Sequence, residues 1–202
     1  AAQEVRGAVF LETGLWLRAR YLPRPGEDMA AAARREVQAV RAGVGVVDVT
    51  PLGKIELGGP DARSLLERLY CNGMATLRPG RARYGLMLRE DGMVLDDGTV
   101  WCFGDGHFMV TTTTANAAAV LSHMELHHQH FASVSEQWAG LAVAGPQSRA
   151  VLQRVVDEPA LDDAAFPFMA VAEGRIGDVV CRIARVSFSG ERAFEGFVPA
   201  GP

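Results

Sequence analysis

Cysteine is scarce in this chain, with Cys71, Cys102 and Cys181 the only three in 202 residues. An odd number, widely separated and without a C-x-x-C pair, indicates neither a disulfide framework nor a zinc site. Buried thiols are the expectation. Long apolar runs are also missing: nothing approaches the ~18 residues that a membrane span needs. No charged-then-apolar leader opens the chain. Together these absences lead to the expectation of a cytoplasmic protein with no membrane partner. An excess of positive charge is lacking too. A formal net charge of -4 repels phosphate backbones, and the arginines are dispersed, so nucleic acid is not an expected partner. The segment "GVGVVD" falls short of G-x-G-x-x-G, which excludes a flavin or NAD site of that type within these residues.

What is present is a globular composition, 49% hydrophobic and 22% charged. A chain of this length buries roughly 70% of its unfolded surface. Residues 1–28 end in "YLPRPGED" and read as a surface lead-in with at most a short strand at "GAVFLE". "MAAAARREVQAVRAG" then predicts an amphipathic helix, with Asp28 as N-cap, Ala30, Ala33, Val37 and Val40 as its apolar stripe and Gly43 as its stop. The β-branched segments "VGVVDV" and "GKIEL" predict strands.

The chain then repeats itself. "IELGGPDARSLLERLY" from Ile55 and "LAVAGPQSRAVLQRVV" from Leu141 share an alternating strand, a Gly-Pro pair, an arginine three residues on, and a helix. Gly59/Gly145, Pro60/Pro146, Arg63/Arg149, Leu66/Leu152 and Arg68/Arg154 all fall at one offset. Proline in a first helical turn costs no hydrogen bond, so each copy is a strand feeding directly into a helix. The first copy continues through the hairpin Leu86–Phe103, the strand "HFMVTTTT" and a helix from about Ala115 to Phe131. The second continues through the hairpin "FMAVAEGRIGDVVCRIARVSF" and the strand "AFEGFVP". The expected class is α+β: two ferredoxin-like split-βαβ units with antiparallel sheets, pseudo-repeats of about 44–131 and 134–202 within a domain spanning 29–202. The second unit lacks a closing helix, and the chain reads as a piece of a longer polypeptide truncated at its C-terminus.

Candidate chemistry is sparse. In "HMELHHQH", His123 and His127 are spaced i, i+4, but no carboxylate or cysteine is placed to complete a metal site, and no metal is expected. The helical core stripe would be Ala117, Val120, Leu121, Met124, His128 and Phe131, leaving His123, His127 and His130 on a solvated face. In "TTTTAN" the hydroxyls and Asn116 serve as helix caps or line a ligand site. "SFSGERAFE" reads as strand, Ser-Gly turn and strand. Glu195, between Phe194 and Phe197, is a carboxylate in an apolar strand and needs a partner to offset desolvation. In "MLREDGMVLDDGTVW" the pair Asp96 and Asp97 reads in two ways. It forms a second Asp-Gly turn, or it sits in a continuing strand with one carboxylate facing a pocket and the other solvated.

These segments in this order resemble the folate-binding domain of the aminomethyltransferase family, whose best-known member is the glycine-cleavage T-protein. "HFMVTTTTANAAAVL", "VSEQWAGLAVAGPQSRAVL" and "VSFSGE" look most like its branch in the α subunit of heterotetrameric sarcosine oxidase. The resemblance implies tetrahydrofolate as cofactor, with Asp97 against its reactive nitrogens as the catalytic residue. It implies folate contacts from Tyr84, Trp101 and Phe188, and a hydrogen bond from the pterin ring to Glu195. Asp96 becomes the outward neighbour. Phe188 and Trp101 stand where the T-protein has tyrosines, which fits the sarcosine oxidase branch. In that branch a flavin elsewhere in the complex oxidises sarcosine to glycine, and tetrahydrofolate accepts the one-carbon unit as 5,10-methylenetetrahydrofolate. The implied partners are the other subunits of such a complex, with FAD or FMN and NAD held outside this segment, which alone would be inactive. The alternatives are a non-catalytic folate-binding or assembly module and a T-protein-like aminomethyltransferase.

Overall fold

The computed structural model describes residues 2–127 and 131–201. It opens with a helical turn, α1 (Ala2–Val5), and a hairpin of β1 (Val9–Thr13) and β2 (Trp16–Tyr21). The lead-in thus holds more than the one short strand expected. "ETGLW" reverses at Gly14, whose φ of 61° suits a residue without a Cβ. Helix α2 (Met29–Ala42) starts at Asp28, whose carboxylate accepts the Ala31 N–H at 2.7 Å, and ends at Gly43. Its expected stripe is displaced: Ala30 and Ala33 are exposed and Ala32 is buried. Polar contacts anchor it instead. Glu36 accepts from the Leu22 N–H, and Arg35 donates to the Leu22 carbonyl and to Glu27.

Strands β3 (Gly45–Asp48) and β4 (Gly53–Gly58) lead to α3 (Ala62–Leu69), then to β5 (Arg81–Leu88), β6 (Val94–Gly104) and β7 (His107–Thr112). Helix α4 (Ala117–Glu125) and β8 (Phe131–Ser133) precede β9 (Trp138–Ala144) and α5 (Ser148–Leu152). The chain closes with β10 (Val171–Ile176), β11 (Val179–Ala184) and β12 (Ala193–Pro199). Two five-stranded antiparallel sheets result, ordered β5-β6-β7-β4-β8 and β10-β11-β12-β9-β3. The α+β class with antiparallel sheets is that expected from the sequence. Each sheet places two strands between the pair flanking its helix, one more than the ferredoxin-like pattern has.

The repeat is visible in bonds as well as in elements. Gly59 and Gly145, at φ of 105° and 122°, donate to the carbonyls of Gly106 and Arg192, which are themselves repeat-related. Arg63 reaches the Leu77 carbonyl and Arg149 reaches Asp163, each 14 residues ahead, so both arginines tie a helix start to the segment that follows the helix. Strands β3 and β8 change sides. The strand leading into the first unit completes the second sheet, and the strand leading into the second unit completes the first. The crossing is sealed in the same way twice: Val49 N–H donates to Gly140 O and Val134 N–H to Lys54 O, both at 2.9 Å. The Thr50 and Ser135 hydroxyls accept the Gly140 and Lys54 N–H groups at 3.0 and 2.9 Å. Helix α4 therefore stands before β9 as α2 stands before β4, so it leads into the second unit where the sequence suggested it closes the first. It also ends at Glu125, short of the expected Phe131, which lies in β8.

Three cores follow from these layers. Leu65, Leu66, Val120 and Met124 of the helices pack on Ile55, Leu57, Phe108 and Val110 of the first sheet. Each such leucine contributes about 1.5–3 kcal/mol on burial. Leu161 and Phe166 cover Ile183 and Phe194 on the outer face of the second sheet. Val49, Trp101, Met109, Ala184, Val186 and Phe197 fill the space between the sheets. At one end of that space Arg182 of β11 donates to Glu56 of β4 at 2.8 Å, its guanidinium flanked by the Trp138 and Phe103 rings at 4.4 and 5.0 Å. Burial alone would raise the Glu56 carboxyl, but Arg182 and His107 outweigh it and hold it below the ordinary range. Cys102 and Cys181 are buried as expected, whereas Cys71 is exposed, since it follows α3 at the surface.

Candidate functional site

The hairpin that carries the aspartate pair turns once, at Arg89–Met93, with Gly92 at φ 79°. Strand β6 then runs unbroken, pairing Asp96 with Met87 and Asp97 with Leu86, so the second Asp-Gly turn does not form. Gly98 serves a different purpose. A Cβ there would collide with the Thr111 carbonyl, so glycine is what allows β6 and β7 to approach. Adjacent strand residues face opposite sides. Asp97 faces the gap between the sheets, where its Oδ2 accepts the Tyr84 hydroxyl at 3.1 Å. Asp96 faces the helical side, and it is not solvated as expected: it is 5% exposed. Its oxygens accept the Thr113 N–H at 3.0 Å, the Thr113 hydroxyl at 2.6 Å and the Asn116 amide at 3.2 Å. The start of α4 covers that face of the sheet and supplies these donors. Burial raises the Asp96 carboxyl, and the Thr113 and Asn116 bonds pull it partly back.

Two cavities, of about 430 and 680 Å³, open off the gap. They share Leu52, Thr113, Val186, Phe188 and Glu195, and so form one continuous recess. Tyr84, Asp97, Thr99 and Thr111 line the smaller part. Val37, Val40, Val47 and Ala142 wall the larger part. Glu195 projects from β12 where the two meet. Its carboxyl makes no hydrogen bond or ion pair among the described residues, and burial pushes it up to about 7. Phe188 is fully exposed at the rim, in the segment between β11 and β12 where a strand was expected.

Tyr84, Asp97, Phe188 and Glu195 thus converge on one recess. Trp101 does not. It is fully buried against Phe103 and Phe197 and lines neither cavity, so a direct cofactor contact is not available to it. Its indole N–H donates to the Thr99 hydroxyl at 2.8 Å, which lies 2.8 Å from the Thr111 hydroxyl. Through this relay Trp101 fixes the cavity wall from behind. The helix-start threonines prove to be wall and clamp residues, and Asn116, at the N-cap position of α4, makes no capping bond to its own helix. Lys54 is a residue that pattern reasoning missed. It is fully buried, its ammonium donates to the Thr50 and Leu52 carbonyls at 2.7 and 2.9 Å, and burial lowers it to about 8. It pins the loop that brings Leu52 into the recess. Alternation in "GKIEL" puts Lys54 with Glu56 on the face opposite Ile55 and Leu57, so no local signal marked it; its burial comes from the second sheet, where its ammonium lies 5.4 Å from the Phe197 ring. His123 is half-buried with its ring 5.2 Å from that of exposed His127, while His128 and His130 lie outside the described residues. No cluster of three metal-ligating side chains occurs among the described residues.

A family model described as "GCVT N-terminal domain" matches residues 1–201. The chain belongs to this family. Among relatives of the GCVT N-terminal domain, the sarcosine oxidase subunit alpha of Rhizobium meliloti is 48% identical over 96% of this chain and 21% of that protein. The aminomethyltransferase of Streptomyces coelicolor is 36% identical over 82% of this chain and 45% of its own length. The crystal structure of glycine cleavage system aminomethyltransferase T from Bartonella henselae superposes with a TM-score of 0.83 at 26% identity, over 99% of this chain and 52% of that one. The chain spans about a fifth of the length of the sarcosine oxidase subunit it matches, and its GCVT N-terminal fold is that of the aminomethyltransferase.

Proposed function

We propose that this domain binds tetrahydrofolate in the joined recess and transfers a one-carbon unit to it, as the acceptor part of a flavin-dependent sarcosine oxidase. The observation that carries the reading is the pair of carboxylates, Asp97 and Glu195, contributed by different sheets to one recess and held in opposite states of satisfaction. Glu195 is an acceptor without a donor in apolar surroundings. A pterin ring presents adjacent N–H donors on a flat apolar body, which fits both the carboxylate and the aliphatic walls. Tetrahydrofolate supplies the two nucleophilic nitrogens that capture a formaldehyde-level carbon as the 5,10-methylene form.

The chain's own residues then orient the ligand. Asp97, steadied by Tyr84, would hold the reacting end of a bound tetrahydrofolate in attack geometry and move a proton. Val186 and Leu52 line both parts of the recess and give it an apolar wall. Flavin and sarcosine chemistry is assigned to the parts of the complex outside this domain. The test is calorimetric titration of the full-length protein with tetrahydrofolate. Saturable binding that Glu195→Gln weakens is expected, and absence of binding by the wild type would overturn the reading.

A further inference from the structure

Strands β6 and β7 are paired from Gly104/His107 as far as Val100/Val110, and there the ladder of backbone bonds ends. Beyond it the strands stay close, with a Cβ at Gly98 excluded by the Thr111 carbonyl, but the regular backbone ladder is not continued. Two side chains carry the pairing onward. The Thr99 N–H is accepted by the Thr111 hydroxyl at 3.0 Å, and the Thr113 N–H by Asp96 Oδ2 at 3.0 Å. Asp96 also takes the Thr113 hydroxyl and the Asn116 amide, and Asn116 donates as well to the Leu95 carbonyl at 3.1 Å. The carboxylate thus stands in for the missing strand partner, with the start of α4 as its electrostatic support. Thr113, the residue it grips, lines both parts of the recess.

The cost of this arrangement argues for its purpose. A buried carboxylate and an N-cap residue that makes no bond to its own helix are each unfavourable, and a longer apolar β6–β7 ladder would avoid both. In a strand, fixing one side chain on one face fixes the direction of its neighbour on the other. We infer that Asp96 is a positioning residue: by clamping Thr113 and Asn116 to β6 behind the sheet, it fixes the facing of β6 at this point and aims Asp97 into the recess.

The inference rests on the folate reading above, and the test separates the two. In the full-length protein, tetrahydrofolate binding is measured by calorimetry, and methylenetetrahydrofolate formation at saturating folate is followed for Asp96→Ala, Asp96→Asn, Asp97→Ala and the two double variants. Asp96→Ala is expected to slow methylenetetrahydrofolate formation at least tenfold. Asp96→Asn, which keeps the volume and one acceptor, should recover part of that loss and serves if the alanine variant does not fold. In the Asp97→Ala background either change should alter the residual rate by less than twofold, because a residue acting through Asp97 has nothing left to act on. Amide exchange at Thr113 should quicken in Asp96→Ala. Wild-type binding with multiplicative losses in the cycle, or with an unchanged rate in Asp96→Ala, overturns the inference alone. A wild type that does not bind tetrahydrofolate overturns the folate reading and the inference with it.

Discussion

The two halves of the domain share a scaffold and differ in what they bring to the space between them. Both run strand, helix and three strands, and both use an arginine from the Gly-Pro turn in the same way. At the repeat position of Glu195 on β12 the first half has Met109, which is fully buried and apolar. Along β11, Val179 and Val180 occupy the stretch near which β6 carries its aspartates. Each half therefore contributes one strand carboxylate to the recess, in opposite surroundings. Asp97 has a hydroxyl donor at 3.1 Å, while Glu195 has none and is pushed up to about 7. Duplication supplied a frame with two facing sheets, and divergence at single strand positions gave each sheet a different chemical task.

The sharpest way to break this division is to remove the carboxylate of the first half. Asp97→Ala in the full-length protein is expected to slow methylenetetrahydrofolate formation by about 10²–10⁴, the usual worth of a positioned acid-base group. Amine turnover should persist and the carbon should appear as free formaldehyde, so assay of both products decides the outcome. Next in size is the link between the halves. Arg182→Ala leaves Glu56 without its guanidinium partner, and a loss of about 3 kcal/mol in denaturant unfolding is expected for a largely buried pair.

Glu195→Gln tests the second half. A carboxyl whose folded pKa is raised binds more protons folded than unfolded, so stability falls as pH rises from the ordinary glutamate range to about 7. The glutamine variant should lose that fall. Because donors on a ligand favour the ionised form, wild-type affinity for tetrahydrofolate should rise with pH through about 7 with release of a proton. Calorimetry in buffers of different ionisation enthalpy reads both effects. The smallest expected change is a control outside both halves: Asp28→Ala removes the α2 cap, should cost about 1 kcal/mol in thermal unfolding, and should leave folate binding unaltered.

The frame was legible in the sequence because a duplicated Gly-Pro-x-x-Arg unit records its own topology. The α2 cap at Asp28 and its stop at Gly43 were legible because they are local. What escaped was long-range. The crossing of β3 and β8 leaves no local mark, since a short β-branched strand reads alike in either sheet. Asp96 looked like a solvated neighbour because alternation says which side a residue faces and not what covers that side. Trp101 was assigned to the ligand from resemblance, while its burial under Phe197 depends on a residue far along the chain. Lys54 was passed over because a lysine beside a turn is ordinarily a surface residue.

The exchange of β3 and β8 bears on how such a domain can be divided. Cut between α4 and β9, the first half would keep its β4 edge partner β8 only if the break fell after Ser133, and β3 would be left with no sheet to join. Each half on its own would hold a leader strand that belongs to someone else. Two identical halves could satisfy one another by trading leaders, which is the geometry of a swapped homodimer with its two sheets face to face. The single chain has the topology such a dimer would have with its subunits joined end to end. A recess lying between two non-identical halves can carry a strand carboxylate in different surroundings on each side, which identical subunits could not make unequal.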